Sequence, residues 1–242
     1  MKNFVIDVGN SNCKIAYEKG GILEEIRKSA QFNIADFIIN NLKDEEADVI
    51  VLSNVREENK ILERKLAEFC RKLVVLGPET ELPLNLRYKF DATEMGGDRI
   101  AGILGMAMMF PGENLLKFDF GTALTVDFLD KSDLVLGGNI SLGFRSRFRG
   151  LNNFTKRLPL IMPDKTYPEI GVSTNSALTA GVVLGIIFEI EGYINRYPDY
   201  KVVFTGGDSI YFAKKMKSPI FVVPNLVMIG LAQIAEYYAN KK

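Results

Sequence analysis

Histidine and tryptophan are absent from this 242-residue chain, and cysteine occurs only twice. The absence of histidine excludes Ser-His-Asp and Cys-His catalysis, zinc sites built on imidazole, and the His-Arg-Asp loop of protein kinases. Cys13 and Cys70 form no disulfide framework and no metal-binding pattern, which favours a reducing compartment. Any chemistry must therefore use carboxylates, hydroxyls, backbone amides, Arg or Lys.

Net charge is absent as well, because 30 basic residues balance 30 acidic residues. This balance gives no electrostatic reason to expect nucleic acid or an anionic membrane as a partner. Met1-Lys2-Asn3 leads directly into the first predicted strand, which leaves no room for a signal peptide. The most apolar stretch, 177–190, is interrupted by Glu189 and is predicted to be a buried helix, not a membrane span. We expect a cytoplasmic protein.

The stretch from Phe4 to Asn12 organises the first half of the chain. An apolar run ends in Asp7 and is followed at once by Gly9 and small hydrogen-bonding residues. This pattern predicts a buried strand that enters a tight turn, with backbone N–H groups free around Gly9. Such a turn suits phosphate oxygens, and the carboxylate suits a hydrated divalent cation. A plain hairpin turn, in which Asp and Asn satisfy only the backbone, fits the same residues.

The remaining pattern alternates strands and helices after an initial β-meander, which predicts a mixed α/β fold. Residues 116–122 align with 4–10 by Asp and Gly, at an offset of 112 residues (119 − 7). The following hairpin is repeated too, which indicates an internal duplication. The boundary is expected near Pro111-Gly112-Glu113-Asn114.

Three glycine turns follow predicted strands, at Asp7-x-Gly9, at Asp119-x-Gly121 and at Thr205-Gly206-Gly207. Each turn alone is a weak signal, and Gly206-Gly207 alone is more often a plain loop. Together they indicate a nucleotide held between two domains, because clefts between domains are preferred ligand sites.

These motifs resemble those of the type III pantothenate kinases, within the acetate kinase/sugar kinase/Hsp70/actin superfamily. The resemblance spans nearly the whole chain. Within the superfamily, the Gly96-x-Asp98-Arg99 motif distinguishes this family from the others. Two further segments also match the family: Gly137-Gly138-x-Ile140 and Thr155-x-x-Leu158-Pro159.

The resemblance implies two tandem ribonuclease H-like domains, 1–113 and 114–242, with an interdomain nucleotide cleft. It also implies a homodimer that phosphorylates pantothenate to 4′-phosphopantothenate with ATP, the first step of coenzyme A biosynthesis. The cofactors would be Mg²⁺ or another divalent cation with ATP, and a monovalent cation, K⁺ or NH₄⁺.

The resemblance also implies roles for single residues. Asp98 would be the general base. The ATP-binding residues would be Asp7, Val8, Gly9, Asn10, Ser11, Asn12, Cys13, Lys14, Gly121, Thr122, Gly206 and Gly207. The pantothenate-binding residues would be Tyr88, Gly96, Gly97, Asp98, Arg99 and Thr174, with Thr174 at the dimer interface. Asp119 would hold the monovalent cation, and Asp7 would lie near Mg²⁺.

Some positions depart from the family pattern. Ser11 replaces a common threonine but keeps the hydroxyl, whereas Cys13 and Leu124 lack hydroxyls that are frequent there. Leu142 replaces a proline before Gly143. The family's substrate tyrosine falls on Lys89, so its assignment to Tyr88 requires a one-residue insertion.

Other interpretations remain open on the residues alone. Asp98 also fits a helix N-cap paired with Arg99, and the chain as a whole fits a nucleotide-binding regulatory protein or a related small-molecule kinase. Arg145, Arg147 and Arg149 are predicted to form a solvated helix face, with contact to an anionic ligand as the alternative.

Two further features receive structural interpretations. The methionine-rich run 105–110 is interpreted as core packing. Cys70 is expected to be buried on a helix spanning 57–73.

Overall fold

The computed structural model describes residues 2–30, 33–43, 45–162 and 166–241. Within them the chain forms eleven strands and seven helices. The strands are β1 (Asn3–Val8), β2 (Cys13–Lys19), β3 (Ile22–Ser29), β4 (Ala47–Asn54), β5 (Cys70–Val75), β6 (Arg87–Tyr88), β7 (Leu115–Phe120), β8 (Ala123–Leu129), β9 (Leu134–Leu142), β10 (Lys201–Gly206) and β11 (Phe221–Val222). The helices are α1 (Ile34–Leu42), α2 (Lys60–Ala67), α3 (Gly97–Met109), α4 (Phe144–Phe154), α5 (Thr174–Arg196), α6 (Ser209–Ala213) and α7 (Leu226–Asn240).

The first sheet has the strand order β3-β2-β1-β4-β5. β1 pairs antiparallel with β2 and parallel with β4, so it is the central strand. Its residues are mostly apolar because both faces of a central strand are buried. One face of this sheet packs on helices α1 and α2, where Ile6, Ile38 and Leu66 are fully buried. The predicted mixed α/β fold is confirmed.

The second sheet repeats this arrangement in five of its six strands, with the order β11-β10-β7-β8-β9-β6. Each strand from β7 to β11 occupies the place of its counterpart from β1 to β5, and β7 begins and ends 112 residues after β1 (115 − 3 and 120 − 8). β10 is parallel to both β7 and β11. The duplication that the repeated Asp-x-Gly motif predicts is therefore present in the strand topology as well.

The chain divides by packing into two compact units. The first comprises Met1–Gly112, Leu129–Leu136 and Asn225–Lys242, and the second comprises Glu113–Phe128 and Gly137–Pro224. The first break lies beside the expected boundary, but helix α7 packs within the first unit. The division into 1–113 and 114–242, with its cleft, stays a prediction.

Glycine explains why α7 packs so closely on α3 within the first unit. A methyl group on Gly105 would lie 2.8 Å from the carbonyl oxygen of Leu226, and one on Gly230 would overlap the carbonyl of Ala101. The two helix backbones therefore touch at these positions, and Leu226, Met228 and Leu231 on α7 are fully buried.

Two structural expectations need correction. The predicted helix 57–73 ends at Ala67, because the following residues pair with β4 in the register Ala47↔Cys70 through Leu52↔Val75. Cys70 thus begins a strand and is only half-buried. In the methionine-rich run, Met106 is buried as expected, whereas Met108 and Met109 are exposed.

Helix α5 is long and apolar enough to cross a membrane by length and composition alone, with a mean hydropathy of 1.7 over its most apolar window. Eight of its residues are buried, among them Val183 and Ile190, which are fully enclosed. This burial is typical of the core helix of a globular protein, as the sequence predicts.

We expect Gly230→Ala to destabilise the chain by about 1–3 kcal/mol, because the added methyl group forces α3 and α7 apart. Gly192→Ala is the matched control, since a methyl group there meets no atom within 4 Å and alanine favours the interior of α5. Urea unfolding measures both free energies. Equal stability of the two variants would contradict the close helix contact.

Candidate active site

Asp7 lies at the end of β1, where β4 runs beside it in parallel. The register pairs Asp7 with Ser53, and the Ser53 hydroxyl donates to Asp7 Oδ1 at 3.3 Å. Ser53 is fully buried, so its hydroxyl fixes the carboxylate without competition from water. The strand end therefore holds one oriented carboxylate.

The turn after β1 closes on itself. The Gly9 N–H donates to the Asn12 carbonyl at 2.9 Å, so of the N–H groups around Gly9 that are predicted to be free, its own is used within the turn. The reason is that a four-residue connection between antiparallel strands uses this bond to reverse the chain. On β2, Cys13 is buried, and the Lys14 ammonium lies 3.4 Å from Asn225 Oδ1.

The Gly96-Gly97-Asp98-Arg99 motif forms the start of α3. Gly96 is the N-cap and Asp98 lies in the first turn, where the helix dipole favours a carboxylate. Gly97 is buried, and a methyl group on it would lie 3.4 Å from Ser53 Oγ and 3.0 Å from the Leu76 carbonyl. Ser53 therefore bonds to Asp7 and lies close to the first turn of α3, between two predicted site motifs.

In the second unit, Asp119 occupies the position that corresponds to Asp7. Thr205 on the parallel strand β10 pairs with it, and Gly206 follows with φ = 90°. A side chain at Gly206 would approach Asp119 Oδ1 at 2.5 Å, so only glycine fits over this carboxylate. The structure thus brings together Asp119 and the predicted Gly206-Gly207 turn.

The Gly121-Thr122 turn is held by the N-terminus of α4. The Thr122 carbonyl accepts from the Gly143 N–H at 3.0 Å and from the Ser146 hydroxyl at 2.6 Å. A methyl group on Gly143 would overlap the Gly121 carbonyl. The Gly121 N–H donates to the Ala123 carbonyl at 3.0 Å, so this amide too is used within its own turn.

The remaining predicted substrate residues lie in different surroundings. Tyr88 forms β6 with Arg87 and is half-buried, with its ring against Phe90. Burial raises the pKa of its hydroxyl. Thr174 is the first residue of α5, exposed beside the N-cap Ser173. Whether either side chain contacts substrate stays a prediction.

Arg147 does not belong to a solvated helix face. Its guanidinium pairs with Glu189 on α5 and donates to the Leu142 carbonyl at 2.8 Å. Glu189 also accepts from Ser141 at 2.8 Å. The interpretation of Arg147 as solvated is therefore wrong, whereas Arg145 and Arg149 are exposed as predicted.

Sequence reasoning missed two residues that hold the turns, Ser53 and Ser146. Ser53 could have been found, because it ends an apolar run like that before Asp7 and occupies the matching place on the adjacent strand. Nothing in the sequence singles out Ser146, whose role depends on the packing of α4 against a distant turn.

Comparison with known proteins gives the decisive observation. A sequence profile of the family described as "Type III pantothenate kinase" matches residues 3–196. The chain belongs to the type III pantothenate kinase family. A curated member from Cytophaga hutchinsonii is 37% identical over 239 residues, which cover 97% of this chain and 99% of that protein.

Solved structures show the fold. A protein assigned to the Baf family of transcriptional activators from Campylobacter jejuni superposes with a TM-score of 0.68 at 21% identity, covering 98% of this chain and 100% of that one. A protein assigned as 2-dehydro-3-deoxygalactonokinase from Sinorhizobium meliloti superposes with a TM-score of 0.63 at 14% identity, covering 97% and 98%. The predicted family and its sugar-kinase-like fold are confirmed.

Cys13 is predicted to be chemically inert in the folded type III pantothenate kinase. Burial, with the negative charge of Asp7 as a further cause, raises the pKa of its thiol to about 12. A thiol with this pKa is ionised to about one part in 10⁴ at pH 8, and the thiolate is the reactive form. Iodoacetamide at pH 8 should therefore modify the half-buried Cys70 first, as peptide mass spectrometry measures. Faster labelling of Cys13 in the native protein would contradict this environment.

Proposed function

We propose that this member of the type III pantothenate kinase family phosphorylates pantothenate to 4′-phosphopantothenate with ATP, in coenzyme A biosynthesis. The observation that carries the proposal is the link through Ser53, which contacts Asp7 at 3.3 Å and packs against Gly97, one residue before Asp98. Asp7, the proposed neighbour of the cation, and Asp98, the proposed proton acceptor, thus lie on adjoining elements of one unit. Phosphoryl transfer depends mainly on such positioning and on charge neutralisation.

Asp98 is the proposed general base. It accepts the proton from the pantothenate hydroxyl as that oxygen bonds to the γ-phosphorus and the bond to the bridging oxygen of ADP breaks. It lies in the first turn of α3. A carboxylate suffices as the base where the transition state is loose and the proton leaves late. Gly96, Gly97 and Arg99 border this carboxylate and are the proposed substrate-binding residues.

A divalent cation that enters with ATP would be held near Asp7. Among the described residues no group of three or more Cys, Asp or Glu side chains could hold a metal. One oriented carboxylate nevertheless fits Mg²⁺, which usually takes one or two carboxylates together with waters and substrate phosphates. The cation neutralises charge on the phosphate oxygens when it is bound.

A monovalent cation, K⁺ or NH₄⁺, is proposed at Asp119. The position of Gly206 supports this proposal, since a side chain at residue 206 would approach Asp119 Oδ1 at 2.5 Å and glycine places none there. Thr122, Gly121 and the Gly206-Gly207 turn are the nucleotide-binding residues proposed for the second unit. Val8 through Lys14 are those proposed for the first.

We expect Asp98→Asn to lower turnover by about 10²-fold or more, the usual loss when a general base is removed. Asparagine keeps the shape but accepts no proton, so the affinity for MgAMP-PNP should stay unchanged. A coupled ADP-release assay with pantothenate measures turnover, and calorimetry measures nucleotide affinity.

Glu94→Gln is the matched control, because it removes an exposed carboxylate four residues away. It should turn over like the wild-type chain. A parallel loss of nucleotide affinity in Asp98→Asn would mean that Asp98 has a structural role, and unchanged turnover would exclude it as the base.

A homodimer is proposed through the apolar surface formed by α4, α5 and the segment between them. Large exposed hydrophobic side chains occur on these elements and at the end of β9 just before α4: Leu142, Phe154, Leu160, Met162, Ile170, Val172 and Phe188. Phe154 and Val172 are 91% and 92% exposed. The surface includes a cavity of about 820 Å³ between α4 and α5, which Thr174 lines. An exposed apolar surface of this extent is typical of an interface between subunits.

Phe154→Arg should weaken dimerisation at least about 30-fold, because it places a charge in the proposed interface in place of an aromatic anchor. Ile61→Arg is the control, since Ile61 is 70% exposed on α2, away from this surface in sequence and unit. Sedimentation velocity over a concentration series measures both. A monomeric wild-type chain, or the same association constant in the two variants, would exclude this interface.

A further inference from the structure

We propose that Arg56 is a positioning residue that orients the N–H groups of Asn10 and Ser11 toward the phosphate groups of the nucleotide. The proposal rests on the function proposed above and adds to it a residue outside the family's motifs as they appear in this sequence. Its support is the geometry of one guanidinium and two consecutive backbone carbonyls.

The Arg56 guanidinium contacts the turn after β1 at two points. Its Nε donates to the Gly9 carbonyl at 3.0 Å, and Nη2 donates to the Asn10 carbonyl at 2.8 Å. Both distances are those of good charge-assisted hydrogen bonds. A single planar group therefore holds two successive peptide units of the turn.

The backbone between β4 and α2 brings Arg56 to this position. The Val55 N–H donates to the carbonyl of Val8, the last residue of β1, at 3.1 Å, which continues the pairing of the two strands one residue beyond the end of β4. The Asn54 side chain then accepts from the Arg56 N–H at 3.0 Å and donates to the Glu57 carbonyl at 3.2 Å. These bonds fold a turn that directs Arg56 back across the end of β1.

The orientation of the amides follows from the planarity of the peptide bond. In a trans peptide the C=O and the next N–H point in opposite directions, and the described residues contain no cis peptide bond. The Gly9 carbonyl shares a plane with the Asn10 N–H, and the Asn10 carbonyl shares one with the Ser11 N–H. Fixing both carbonyls on Arg56 therefore points both N–H groups away from it. Asn10 and Ser11 are both exposed residues.

In this arrangement the amides of Asn10 and Ser11 are the proposed hydrogen-bond donors to the phosphate oxygens, in place of the Gly9 amide. The Gly9 N–H is used within the turn, in its bond to Asn12, whereas the next two amides are oriented by Arg56. Hydrogen bonding of a carbonyl to a cation also polarises its peptide group, which strengthens the N–H as a donor. Two adjacent, fixed amides are suited to phosphate oxygens because they need no reordering when the nucleotide binds.

Arginine is required for this role by its shape. The guanidinium presents several N–H donors in a fixed plane, whereas a lysine ammonium is a compact charge on a flexible stem. Arg56→Lys should therefore keep the charge near the turn but fail to hold both carbonyls at once.

The test compares Arg56→Ala, Arg56→Lys and the control Arg64→Ala, which removes an exposed arginine from the nearby helix α2. Calorimetry with MgAMP-PNP measures affinity without turnover. We expect affinity to fall about tenfold in Arg56→Ala, with a smaller fall in Arg56→Lys and none in Arg64→Ala. Hydrogen exchange of the Gly9 amide, measured without any ligand, should be faster in Arg56→Ala because the turn is less ordered. The KM for pantothenate should stay unchanged.

Two results would overturn the proposal. Equal nucleotide affinity in Arg56→Ala and Arg64→Ala would show that Arg56 orients nothing that binds phosphate. Full restoration by lysine would show that charge alone matters. Both readouts are independent of pantothenate, so a chain that lacks pantothenate turnover but shows these effects would contradict only the function proposed above.

Discussion

The candidate site depends on one constraint: in each sheet the central strand pairs in parallel with a later strand, so that the carboxyl ends of the two strands lie side by side. In the first unit the pairing of β1 with β4 places buried Ser53 beside Asp7. In the second unit the pairing of β7 with β10 places Thr205 and Gly206 beside Asp119. In both units a carboxylate near the carboxyl end of the central strand lies beside residues of a later, parallel strand. Ligands of open α/β sheets bind at the carboxyl ends of such strands.

The duplicated strand order uses this one device for two purposes. In the first unit, Ser53 lies beside both Asp7 and the start of α3, and Arg56 binds the turn after β1. These neighbours suit the proposed proton transfer and phosphate binding. In the second unit, the neighbour of Asp119 is a bare glycine turn, which favours the approach of a ligand to the backbone. The same topology therefore supports different roles because the residues after the partner strand differ.

The sequence predicts the duplication because the repeated Asp-x-Gly motif marks equivalent strand ends. The offset of 112 residues between the motifs equals the offset between β1 and β7, and these two strands hold equivalent places in their sheets. Sequence reasoning failed where tertiary pairing decides the outcome. The end of α2 is set by the pairing of Cys70 with Ala47. Arg56 acts through neighbours more than 40 positions away, so no local pattern reveals it, whereas Ser53 is marked by the apolar run that it ends.

Identification of the product tests the central claim most directly. The chain, incubated with pantothenate, MgATP and K⁺, should release ADP and 4′-phosphopantothenate in equal amounts, which phosphorus NMR and mass spectrometry identify and quantify. Omission of pantothenate should abolish ADP release. ADP formed at the same rate without pantothenate, or no phosphorylated product in the complete mixture, would contradict the account.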